Sequence, residues 1–133
     1  MTEWRNRDRA RQLIEFDNLT YGFGAAPTDI DAVYEGHNGF WVLFEVKYKN
    51  APLPTGQRLC LERAVNDFER AGKNAVAIVA EHTVTDHHES VQLAKCSVRA
   101  AYRNGKWYQM DNEKSVKTVL DSIEWAWSRK EKQ

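Results

Sequence analysis

The chain has 133 residues, 42% of them hydrophobic, enough for one compact domain with a single core that needs neither disulfides nor a structural metal. Nineteen basic residues balance nineteen acidic ones, so no bulk field draws the molecule to a polyanion, and any nucleic-acid surface must be local. Nowhere do 18 consecutive apolar residues occur and the first residues carry no signal-like apolar run, so a soluble, cytoplasmic protein with no membrane partner is expected.

Taken in order, residues 3–17 place Trp4, Ala10, Leu13, Ile14 and Phe16 among four arginines in a pattern that predicts a first helix ending near Asp17-Asn18. The acids of the same segment balance its arginines, so it is not read as a binding arm. Two glycines and a proline make Tyr21–Pro27 a loop. Thr28–Tyr34 and Phe40–Tyr48, separated by Gly36-His37-Asn38-Gly39, predict a hairpin. Both faces of the second strand are apolar before Glu45 and Lys47, which marks it as central.

Beyond Pro52 and Pro54, Thr55 is the expected cap of a helix lined by Leu61, Ala64, Val65 and Phe68 and ended by Gly72. Ala75–Ala80 is a short apolar run that fits a strand buried on both faces and parallel to the hairpin. Residues 81–90 read as a loop. Strand signals over Val91–Tyr102, an Asn104-Gly105 turn and Trp107–Met110 predict a second hairpin, and Val116, Val119, Leu120, Ile123 and Trp127 line a last helix expected from Asp111 or Asn112. Cys60 and Cys96 lack metal or redox spacing and read as buried thiols.

The chemistry concentrates on the first hairpin. Glu45 and Lys47 share one face of a core strand, and half-buried charges there cost several kcal/mol by order of magnitude unless something compensates them. With a three-residue loop of His37, Asn38 and Gly39, Asp31 faces Glu45; one step of register would turn it away. Opposed carboxylates call for a divalent cation between them, and hard oxygen donors suit Mg2+, with Mn2+ as substitute. Lys47 would then orient water or neutralise the transition state, and Gln57, in the first turn of the next helix, could hold that water or a phosphate oxygen.

Asp31, Glu45-Val46-Lys47 and Gln57, in the order helix, hairpin, helix, strand, resemble the PD-(D/E)xK nuclease superfamily over residues 3–82, most closely its Holliday-junction-resolvase-like and restriction-endonuclease-like members. The resemblance implies an α/β fold of restriction-endonuclease type, a mixed sheet flanked by helices with an αβββαβ core, here extended by a hairpin and a C-terminal helix. It also implies Mg2+-dependent hydrolysis of DNA, Asp31, Glu45 and Val46 as metal ligands, and Asp31, Glu45, Lys47 and Gln57 as the catalytic set. Thr28 separates Pro27 from Asp29 where the family pattern joins proline to aspartate, so Asp29 stands beside Asp31 as a second candidate. Glu15 is the candidate for a carboxylate from the first helix, with a solvated surface glutamate the competing reading.

For contact with DNA the basic candidates are Lys49, Arg58, Lys95, Arg99 and Arg103. If residues 94–103 form one strand, Lys95, Ser97, Arg99 and Arg103 share a face and make a basic ladder; an ordinary solvated face is the alternative. His82, His87 and His88 are read as loop residues rather than ligands, and Trp41, Trp107 and Trp127 as core, with Trp4 and Trp125 open. Cleavage of DNA is the expected activity, with branched or junction DNA the favoured substrate; a homodimer, common among similar nucleases though not visible in the sequence, would supply two cuts. A non-catalytic nuclease-fold module and RNA as substrate stay open beside it.

Overall fold

The computed structural model describes residues 14–129. Five strands, β1 (Ala32–Glu35), β2 (Trp41–Tyr48), β3 (Ala75–His82), β4 (Ser97–Arg103) and β5 (Lys106–Gln109), form one mixed sheet in sequential order. Among the described residues two α-helices, α1 (Thr55–Arg70) and α2 (Val116–Trp127), complete an α/β architecture. Only the β2–β3 pair is parallel, and α1 makes the crossover that a parallel connection requires.

Strand alternation sorts the core into two layers. Leu43, Ala75, Ala77 and Tyr102 pack with Leu61 and Val65 of α1 on one face. Phe40, Val42, Phe44, Val76, Ile78 and Val98 pack with Val116 and Trp127 of α2 on the other. β2 and β3 are therefore sandwiched, which is why their sequences are apolar on both sides. The tryptophans assigned to the core behave so: Trp41 stacks on Phe68 at 4.7 Å, Trp107 lies 5.2 Å from the Tyr102 ring, and Trp127 is buried against Phe40.

The first hairpin turns through His37, Asn38 and Gly39, since Gly36 N–H donates to the Phe40 carbonyl at 2.9 Å. Asn38 and Gly39 both have positive φ, the conformation expected for residues of this type in a tight loop. Gly36 is needed for a different reason: a Cβ there would lie 2.0 Å from the Phe40 ring. The second hairpin turns at Asn104-Gly105, again with positive φ at both residues.

Several boundaries differ from the sequence reading. Of the expected first helix, residues 3–13 and Trp4 lie outside the described residues, and residues 14–17 are irregular or turn. β1 begins at Ala32 rather than Thr28, and among the described residues two strands precede α1 where the expected core has three. Thr55 is the first residue of α1 and Pro54 its cap, with no side-chain capping bond. Proline suits that entry because its fixed φ precedes the helix without a donor to lose. Helix α2 starts at Val116, where the Ser115 side chain accepts from Thr118 N–H at 3.1 Å; the segment 111–114 instead docks back on β4 through the Asn112 N–H to Val98 and Val98 N–H to Lys114 bonds. Residues 91–96 are not strand: a 3-10 turn at Leu93–Lys95 leads into β4.

No helix among the described residues is long and apolar enough to cross a membrane.

Candidate functional site

The hairpin register carries the site. Ala32 pairs with Phe44 and Val33 with Leu43, so the ladder ends one residue after Asp31, which is a bend beside the Glu45–Val46 segment of β2. The side chain of Asp31 confirms the approach of the two strands there, because its Oδ2 accepts from Val46 N–H at 2.7 Å. Its other carboxylate oxygen has no hydrogen bond among the described residues. Asp29, also exposed, makes no such contact but adds to the negative field at Glu45.

Glu45 is 3% exposed and is the buried charged residue of the described chain. Its alternation places it on the α1 face with Leu43, and Val79 of β3 is its direct neighbour. Burial raises its pKa above the ordinary glutamate value, and the Asp31 carboxylate raises it further, while Lys47 opposes both. Lys47 Nζ stands 3.4 Å from Glu45 Oε2 and donates to Gln57 Oε1 at 2.8 Å. Gln57 is the third residue of α1, so one lysine joins the core strand to the start of the helix. Its acceptor thus occupied, Gln57 keeps its amide N–H groups for a phosphate oxygen or water, beside the positive end of the α1 dipole.

Asp31, Glu45, Val46, Lys47 and Gln57 are therefore gathered within one small volume. Two carboxylates, with the backbone carbonyl that is all Val46 can offer, make a hard oxygen set of the kind magnesium or manganese takes. Among the described residues no three His, Cys, Asp or Glu side chains cluster at metal-holding distance, so an ion here would complete its shell with the carbonyl, water or phosphate. Glu15 is exposed in an irregular segment and makes no hydrogen bond or ion pair among the described residues.

The basic candidates are dispersed. The expected ladder fails because β4 is bulged: Val79 pairs with Ala100 and Ala80 with Val98, leaving Arg99 as the extra residue. The extra residue reverses the alternation, so Val98 belongs to the α2-side core and Tyr102 to the α1-side core. Arg99 donates from Nε to Glu81 at 2.5 Å, whereas Arg103 lies over the Trp127 ring at 5.0 Å, on the α2 side. Lys95 falls in the 3-10 turn and not on the strand. Arg58 is paired with Glu62 at 2.6 Å, and that carboxyl is held below its usual range by the Trp107 indole N–H and by Arg58 itself. Lys49 is exposed, just past the end of β2.

His82 ends β3, packing edge-on to Tyr48 at 5.6 Å and accepting at Nδ1 from Val84 N–H, while His87 and His88 are exposed in the following loop. Glu81 and Trp107 were not singled out by sequence as site neighbours. Glu81 lies beside Lys47 only through the parallel β2–β3 register, and local sequence contains no signal for that. No family model, no curated protein and no solved structure matches the chain.

Proposed function

We propose that this chain is a magnesium-dependent endonuclease that hydrolyses DNA phosphodiester bonds, built on a restriction-endonuclease-like core of the PD-(D/E)xK kind. The observation that carries this is a glutamate buried in a core strand beside a second carboxylate, an arrangement that raises its pKa and that a bound cation would compensate. A bound divalent ion would acidify a water molecule and take up charge on the phosphate. The chain's own residues then have separate tasks. Asp31, Glu45 and the Val46 carbonyl hold the ion, Lys47 Nζ carries positive charge to the attacked phosphate, and Gln57 orients water or a phosphate oxygen by its amide.

The small size leaves no separate module for reading a long sequence, which favours DNA shape, such as a branch or junction, as the feature recognised. The test is cleavage of labelled linear, single-stranded, flap and four-way-junction DNA with magnesium or manganese, using the native chain, Glu45→Ala and Lys47→Ala. Cleavage by the native chain that both substitutions abolish supports the reading. Absence of cleavage on every substrate, with DNA binding unchanged in the variants, sinks it.

One observation favours a second reading, a non-catalytic nuclease-fold module that binds nucleic acid or a protein partner. Glu45, Lys47 and Gln57 already satisfy one another without an ion. Such a module would bind DNA equally well with EDTA and with magnesium.

A further inference from the structure

Among the cavities of the described residues, three differ in their chemistry. One, of about 610 Å³, is lined by Tyr48, His82, His87, Asp86 and Glu89 among others, with no lysine or arginine. A second, about 400 Å³, has Lys95 as its basic residue and Glu81 in the same wall. The third, about 280 Å³, is lined by Arg58 and Arg99, with Trp107, Gln109, Leu53, Val79 and Ala100. It alone joins two guanidinium groups, an aromatic ring and a primary amide, the set that grips a phosphate and a base together.

Its position ties it to the candidate site. Val79 in its wall is the register neighbour of Glu45, and Glu81, which holds Arg99, is the register neighbour of Lys47. Leu53 and Arg58 bring in the start of α1, where the dipole favours an anion and no acidic residue occupies the first turn. Arg99 is partly exposed and is held by one carboxylate, with Nε donating to Glu81, so its guanidinium lies in the wall at a fixed angle. At about 280 Å³ the space lies just below the usual range of ligand pockets, roughly 300–1,000 Å³, so it has room for one residue of a strand at most and none for a duplex.

We propose that the cavity of Arg58, Arg99, Trp107 and Gln109 is a subsite for one unpaired nucleotide adjoining the phosphate held at Glu45 and Lys47. The phosphate is taken by the Arg58 and Arg99 guanidinium groups in the wall, the base lies against Trp107, and Gln109 offers its amide to the base edge. This rests on the nuclease reading and narrows it: the strand that enters is locally single-stranded, as at a branch, flap or frayed end. Glu62 and Glu81 serve here as positioning residues that fix the two guanidinium planes.

The test measures binding in EDTA, where no cleavage occurs, of a fluorescein-labelled oligothymidylate and of a duplex of equal length. The expected result is single-strand affinity at least tenfold above duplex affinity. Trp107→Leu should weaken it about tenfold, and the paired change Arg99→Gln with Glu81→Gln should lower the salt dependence by about one phosphate contact. Since these variants could lose their fold, the native chain is also photocrosslinked to 5-iodouracil-substituted strand, with the adduct expected in residues 106–109. Equal affinity for duplex and single strand, crosslinks elsewhere, or folded variants with native affinity would each overturn the subsite. Cleavage that survives indifference to Trp107 and Arg99 removes the subsite and keeps the nuclease; binding of this pattern without cleavage under magnesium does the reverse.

Discussion

Asp31 reaches across the mouth of the first hairpin to Val46, its Oδ2 accepting from the Val46 N–H at 2.7 Å. The bond fixes where the Asp31 carboxylate stands relative to Glu45, the residue next to Val46 on β2. Asp31→Asn keeps an acceptor for Val46 and should fold with close to native stability while losing the charge that attracts a cation. Asp31→Ala also loses the bond and should cost about 1 kcal/mol. Thermal melting of the two variants, alongside calorimetric titration with manganese, checks both: native-like manganese binding by Asp31→Asn would exclude Asp31 as a ligand.

Glu45 carries the strongest conflict between folding and chemistry. Its folded pKa lies above the 4.5 of an unperturbed glutamate, so the folded state holds the proton more firmly than the unfolded chain. Stability without metal is therefore greatest below about pH 4.5 as far as this group is concerned, falls as pH rises from there through the raised pKa, and levels off above it. Cation binding needs the ionised form and runs the opposite way, strengthening with pH over the same window and releasing a proton. Glu45→Gln should raise stability at neutral pH by about 1 kcal/mol, remove this pH dependence and abolish cleavage. Denaturant melts from pH 4 to pH 8 decide it, and an unchanged pH profile in the variant would count against the assignment.

Lys47 is the counter-charge of Glu45 and the donor to Gln57, so Lys47→Ala strands both partners. A loss of about 1–3 kcal/mol is expected at neutral pH. The loss should shrink in acid as Glu45 takes up its proton, and Lys47→Ala combined with Glu45→Gln should be more stable than Lys47→Ala alone. A double-mutant cycle measures the coupling, and strict additivity would show that the two side chains do not interact.

Gly36 lies beneath the Phe40 ring, with no room for a Cβ. Gly36→Ala must push that ring out of the α2-side core or shift the hairpin register, at a cost of about 1–3 kcal/mol. A register shift would also carry Asp31 away from Glu45. The variant should thus lose manganese affinity along with melting temperature, whereas native affinity in a destabilised variant would show that the register survives.

The contents of the first hairpin were legible in the sequence because every cue was local. A loop whose length is set by Asn38 and Gly39, together with an alternation of period two, fixes the pairing of nearby residues, and Asp31 meets the Glu45–Val46 segment as a consequence. The parallel placement of β3 followed equally from a buried apolar run on the far side of a helix. What is missing at the start of the chain is of another kind, since the residues that would test the expected first helix lie outside those described.

Arg99 and Arg103 show what only the tertiary structure decided. Their equal parity along the chain predicts one shared face, but the bulge opposite Val79 and Ala80 inserts a residue and sends Arg99 to Glu81 and Arg103 to Trp127. Arg58 is likewise claimed by Glu62, and Glu81 arrives beside Lys47 from a strand 34 positions further along. The sequence by itself determined the hairpin and, for a three-residue loop, which residues would meet there, because turn geometry and strand alternation act over a few residues; the loop length and hence the register came from the structure. Which basic side chains share a face, and which carboxylate holds each of them, was decided by pairing between distant strands, where one bulge reverses a face and no local residue announces it.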